Sequence, residues 1–133
     1  MRVFVSHGAR DAWIAKQMAR CIGDIGAGTF LDAYDIATGD EFETRIREAL
    51  SKCDELLALF TPLSIRRAWV FMEIGAAWMQ GKRVSAILYG LSLRDFDAES
   101  GTGAGLLARR HVRDLNDFDT YLGELKMRCD DGR

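Results

Sequence analysis

The chain has 133 residues, the length of a single domain, and 48% of them are hydrophobic, enough for a core. Formal net charge is −2, from 18 basic and 20 acidic side chains mixed along the sequence. That balance argues against wrapping nucleic acid or lying on an anionic membrane, and no apolar run approaches the ~18 residues of a spanning helix.

The first predicted element is a core strand, Val3-Phe-Val5, followed at once by Ser6-His7-Gly8-Ala-Arg10-Asp11. The apolar run is too short for a signal peptide, so a cytoplasmic protein is expected. The cysteines agree: Cys21, Cys53 and Cys129 are odd in number and widely spaced. Cys21 and Cys53 fall on apolar helical faces and are read as buried, reduced thiols.

Asp11 is placed to cap a helix in which Ile14, Met18, Cys21, Ile22 and Ile25 recur at helical spacing. Gly26-Ala-Gly28 stops it. Thr29-Phe-Leu31 is a short second strand that ends at Asp32, and a polar loop follows, Ala33 to Gly39. Asp40 with Glu43 marks the next helix start, carried by Phe42, Ile46, Ala49, Leu50 and Cys53. Leu56-Leu-Ala-Leu-Phe60 is a continuous apolar run that suits a strand buried on both faces of a parallel sheet.

Thr61-Pro62-Leu-Ser64 ends that strand, with Ser64 read as the N-cap of a helix containing Trp69, Glu73 and Trp78. Gly81 closes this helix. Glu73 is the only carboxylate between Glu55 and Asp95, and it shares a helical face with Trp69. Val84 to Leu88 is a fourth strand. Leu91 to Arg110 is long for a bare loop in a compact domain, so one or two short helical turns are expected in it. Gly101-Thr-Gly-Ala-Gly105 lacks the Lys and the preceding strand of a P-loop and is read as a connector. His111 to Leu115 is a weak fifth strand. Asp117 is placed to cap a last helix with Phe118, Tyr121, Leu122 and Leu125, and residues 129–133 are expected to fray.

Strand and helix alternate five times, which argues for an α/β fold with a parallel sheet and helices on both faces. Ligands of such sheets bind beyond the carboxyl ends of the strands. Ser6, His7, Asp32, Thr61 and Ser64 all fall on that rim, and Glu73 lies a turn or so into the helix that starts there. Each has a plainer reading. Glu73 suits a solvated acid on the outer helix face, Trp78 suits a core aromatic, and Asp32 and Ser6 suit caps at strand ends. His7 suits a loop histidine, and Arg66 and Arg67 suit surface charges or phosphate contacts.

The segments Val3-Phe-Val-Ser-His7, Phe30-Leu-Asp-Ala-Tyr-Asp-Ile36 with Gly39, Ala49 to Asp54, Leu59-Phe-Thr-Pro-Leu-Ser64 and Trp69-x-x-x-Glu73 come in the order and spacing of a Toll/interleukin-1 receptor (TIR) domain. The sequence resembles that family well over about residues 1–90 and loosely beyond. The resemblance implies one TIR-like domain over residues 1–133. Its fold would be a flavodoxin-like three-layer sandwich with a five-stranded parallel sheet, order 2-1-3-4-5. Some TIR domains are adaptors, and others cleave the nicotinamide–ribose bond of NAD.

For the cleaving kind the resemblance implies Glu73 as catalytic acid and Trp69 as its partner. Ser6, His7, Asp32 and Ser64 are then candidate substrate contacts, and the loop with Asp35, Ile36 and Gly39 is a self-association loop. NAD enters as substrate, with no separate cofactor and no metal. The product is ADP-ribose or a cyclic isomer, in immune or antiphage signalling that joins an upstream sensor to a downstream effector. A non-enzymatic adaptor is the first alternative. A nucleoside 2-deoxyribosyltransferase is the second, since Phe71-Met-Glu73-Ile-Gly-Ala-Ala77 followed by Gly81-Lys82 resembles that family's nucleophile helix.

Overall fold

A computed structural model describes residues 1–31, 42–66, 68–99 and 111–132. The elements are β1 (Arg2–Ser6), α1 (Ala12–Asp24), β2 (Gly28–Leu31), α2 (Phe42–Ser51), β3 (Glu55–Phe60), α3 (Ala68–Met79), β4 (Arg83–Leu88), α4 (Leu93–Glu99), β5 (Val112–Asp114) and α5 (Phe118–Asp131). The strands form one parallel sheet in the order β2-β1-β3-β4-β5. This is the flavodoxin-like order that the resemblance implies. Alternate side chains along each strand point to opposite faces, and the core divides accordingly. Phe4, Leu56, Ala58, Phe60, Val84, Ala86 and Leu88 pack with residues of α2, α3 and α4. Val3, Val5, Leu57, Leu59 and Ile87 pack with residues of α1 and α5 on the other side.

β3 is buried along its whole length, as the central strand of a sheet covered on both faces must be. It starts one residue earlier than the apolar run predicts. Glu55 is buried there because Arg128 grips it with two nitrogens, Nε at 2.9 Å and Nη2 at 2.8 Å. Tyr121 adds a hydroxyl donor at 3.3 Å. That anchor, together with Cys129 packing against the core, holds the last turns of α5, which runs to Asp131. Burial, and then the Glu55 charge, push the Tyr121 hydroxyl well above the ordinary tyrosine range, so it stays a donor.

Gly81 ends α3 at a φ of +71°. Its N–H bonds Trp78 O at 2.9 Å and the Lys82 N–H bonds Ala77 O at 2.9 Å, the pairing of a Schellman stop. Three capping expectations fail. Asp11 and Asp117 sit at the N-termini of α1 and α5, but neither side chain bonds its helix. Each follows a short 3-10 turn, Ala9–Asp11 and Leu115–Asp117. Ser64 is not an N-cap either, because α3 begins at Ala68. α4 lies within the long segment predicted to hold short helical turns, whereas Gly101 to Gly105 lie outside the described residues.

Trp78 is 56% exposed and is not a core aromatic. α3 is apolar almost all round, so the sequence offers no single stripe to mark the buried side. The side that is buried carries Val70, Glu73, Ile74 and Ala77. At the amino edge of the sheet, Met1, Asp54, Arg128 and Gly132 share one cleft of about 220 Å³, so the first and last described residues lie close together.

Candidate active site

The carboxyl edge of the sheet gathers polar side chains that a core does not normally hold. Ser6, His7, Asp11, Thr61, Ser64 and Glu73 are all buried, and all lie at or just beyond the ends of the adjacent strands β1 and β3 or on the helix that follows. Buried polar groups survive by bonding one another, and two small networks form.

The first joins Ser6 to Glu73. Ser6 shares the face of β1 with Phe4, which packs toward α2 and α3. Glu73 lies three residues from Val70 and four from Ala77, on the buried side of α3. The two periods bring the groups together across 67 positions, and Ser6 Oγ donates to Glu73 Oε1 at 2.6 Å. Glu73 has no measurable exposure. It is therefore not a solvated acid on the outer face.

The second network joins the two neighbouring loops. Thr61 Oγ1 donates to Asp11 Oδ2 at 2.7 Å, and the Thr61 N–H donates to Ser64 Oγ at 2.9 Å. Ser64 Oγ in turn lies 3.3 Å from Leu59 O as donor to it. These bonds tie the loop after β1 to the loop after β3. Gly8 makes the approach possible, since a Cβ there would come within 3.3 Å of Ser64 Cβ. His7 is buried in the same loop, with Nδ1 3.4 Å from Val5 O.

The sequence thus brings Ser6, His7, Ser64 and Glu73 to one rim. Ser6 bonds Glu73 directly, whereas Ser64 serves the loop. Asp11 is the residue that sequence reasoning misses. Its position suits a cap, and its use as a partner for Thr61 appears only when the two loops are side by side. Trp69 lies in the first turn of α3, with its side chain outside the described residues. Asp32, Asp35, Ile36, Gly39 and Arg67 also lie outside them. Arg66 is exposed and helps line a cleft of about 340 Å³ with Pro62, Ile65, Leu91, Asp95 and Ala98. A further cavity of about 420 Å³ lies between α2 and α3, lined by Ile46, Arg47, Met72, Ala76, Met79 and Gln80. Among the described residues no cluster of three His, Cys, Asp or Glu side chains could hold a metal ion.

A buried carboxylate fixed by a hydroxyl at a strand terminus can bind sugar hydroxyls or stabilise a developing cation. Comparison with known proteins places the sequence in a family. The model of the TIR domain family matches residues 3–125. The chain belongs to the TIR domain family.

The fold also matches solved structures. The TIR domains of the activated Roq1 resistosome, which directly recognises the pathogen effector XopQ, align with a TM-score of 0.64 at 13% identity, over 93% of this chain and 96% of that one. The Clostridium botulinum CMP N-glycosidase BcmB aligns with a TM-score of 0.60 at 18% identity, over 96% and 99%. The sugar isomerase domain of an RpiR transcription factor from Sphaerobacter thermophilus aligns with a TM-score of 0.60 at 14% identity, over 96% and 70%. These identities speak for a shared fold. No curated protein matches the sequence. No helix among the described residues of this TIR domain is long and apolar enough to cross a membrane.

Proposed function

We propose that this TIR domain cleaves the nicotinamide–ribose bond of NAD. The supporting observation is the fully buried Glu73, held by Ser6 Oγ at 2.6 Å on the carboxyl rim of the sheet. A module that only docks has no use for a sequestered acid there, because burying a charge is costly without a purpose or a partner.

In this reading the C1′–N bond breaks and its electron pair neutralises the pyridinium nitrogen, so nicotinamide leaves without needing a proton. The ribosyl oxocarbenium ion that forms is stabilised by the Glu73 carboxylate. Water then adds at C1′ and releases a proton to give ADP-ribose, or an adenine nitrogen adds to give a cyclic isomer. One acid suffices, where an inverting glycosidase needs two. The cleft lined by Pro62, Arg66 and Asp95 lies along the same rim and is the proposed seat of another part of the dinucleotide.

Glu73 is covered in the single chain, so substrate reaches it only when neighbouring chain moves. Self-association through the loop with Asp35, Ile36 and Gly39 is the proposed trigger for that movement. An upstream sensor, a downstream effector reading the product, a cytoplasmic setting and a role in antiphage signalling complete the proposal.

The decisive experiment is nicotinamide release from NAD by assembled protein. Glu73→Gln should lose about 10²-fold or more in kcat, and full activity in that variant would overturn the assignment. The likeness to the CMP N-glycosidase favours a second reading, cleavage of a nucleoside monophosphate by the same acid. Release of cytosine from CMP without release of nicotinamide from NAD would select it. Base exchange on a deoxynucleoside would select a deoxyribosyltransferase, and silence with all three substrates an adaptor.

A further inference from the structure

The face of the sheet opposite Glu73 holds a second concentration of polar groups. Arg83 and Ser85 alternate along β4 with Val84 and Ala86, and therefore point with Ile87 toward α5. Arg113 pairs in register with Ile87 on the neighbouring β5. Together with His111 just before β5 and with Tyr121 and Glu124 from α5, these residues line a cavity of about 150 Å³.

The charges in this cavity do not balance. Glu124 is taken by Arg113 in an ion pair. The Tyr121 hydroxyl donates to Glu55, whose carboxylate is already gripped by Arg128. Arg83 has no carboxylate partner among the described residues. Its Nη2 meets only the His111 ring, at 3.2 Å from Nδ1. Its Nε is buried with no hydrogen-bond partner. A buried donor left unmet is destabilising, and a guanidinium fork is shaped for an oxyanion. The Ser85 hydroxyl, on a residue only 4% exposed, supplies a neutral donor to the same space.

We propose that this cavity is a binding site for a small oxyanion of the phosphate or carboxylate class. An anion on Arg83 would satisfy Nε and cancel the uncompensated charge. The volume is well below the ~300 Å³ at which pockets begin to take drug-sized ligands, so a free ion or small acid fits and a nucleotide does not. The site is independent of the NAD reading, because its groups lie on the other face of the sheet and its readout is binding.

The test is an amide-resolved NMR titration of the whole chain with sodium phosphate, with sodium acetate, and with sodium chloride at matched ionic strength. Saturable shifts confined to residues 83–87, 111–113 and 121–124, with phosphate or with acetate but not with chloride, are expected, and the stronger arm names the anion. Arg83→Met should weaken binding at least about tenfold. Ser85→Ala should weaken it less, and Arg83→Lys, which keeps the charge without the fork, serves if the Met variant does not fold. Equal shifts with chloride, the absence of saturable shifts with either oxyanion, or undiminished binding in a folded Arg83 variant would overturn the proposal.

Discussion

Replacing Ser6 with Ala isolates the bond on which the site depends. The hydroxyl is buried and donates to a buried carboxylate at 2.6 Å. A hydrogen bond to a charged group contributes about 1.5–3 kcal/mol, and the carboxylate left behind cannot turn to water. For a domain of this size the loss lowers Tm by about 4 °C per kcal/mol, or roughly 6–12 °C. The fold itself survives, because Phe4 and Val5 remain packed. Denaturant unfolding of wild type, Ser6→Ala, Glu73→Gln and the double variant gives the coupling energy directly. With a neutral amide at position 73 the hydroxyl is worth less, so the two changes should couple by about 1 kcal/mol or more. Additivity within about 0.3–0.5 kcal/mol would mean that the bond is not made, and the geometric case for Glu73 would go with it. NAD turnover in Ser6→Ala should also fall, in kcat more than in KM, since the acid loses the group that aims it.

The remaining predictions concern the scaffold and assembly. Tyr121 is held protonated in the fold, with its pKa raised by burial and by Glu55. Above about pH 10 the unfolded chain therefore gives up a proton that the native one keeps. Stability is fully present below that pH and is lost as pH rises, and Tyr121→Phe should flatten this alkaline decline in unfolding measurements. Glu55→Ala strips Arg128 of its bidentate partner and should cost roughly 3 kcal/mol, whereas Glu55→Met with Arg128→Met should recover most of that loss. Gly75 lies inside α3 with open space around its missing Cβ, so Gly75→Ala should stabilise by about 1 kcal/mol. Gly81→Ala should destabilise by a similar amount because its φ is +71°. NAD turnover per subunit should rise with protein concentration, and a constant rate over a wide dilution series would remove assembly from the mechanism.

The sheet order and the rim were legible because each strand and helix announces itself by period and stop signal. Leu56 to Phe60 reads as a strand covered on both sides, and Gly81 reads as a stop. Glu73 stood out as the one acid between Glu55 and Asp95 in a mostly apolar stretch. Its bond to Ser6 was also within reach, since position 6 shares the face of Phe4 and position 73 that of Val70. Other features were not. Asp11 has the sequence context of a cap, and only the proximity of two loops makes it a partner of Thr61. Ser64 reads as a helix start because its distance from Ala68 is set by a turn without a periodic signature. Trp78 reads as core because α3 is apolar on nearly every side. Glu55 and Arg128 are far apart in sequence, and no local pattern marks either as half of a buried pair.

The cleft shared by Met1 and Gly132 has a practical consequence for engineering. Met1 and Gly132 are neighbours at the edge of the sheet opposite Ser6 and Glu73. A short Gly/Ser bridge could therefore join them and leave the rim untouched. New termini opened in a surface turn would give a circular permutant with the same sheet. By the same geometry, dimerising modules fused at either end pull from beneath and leave the carboxyl face clear. Chemically induced dimerisation from the two ends in turn would then show which orientation of neighbouring domains switches the site on.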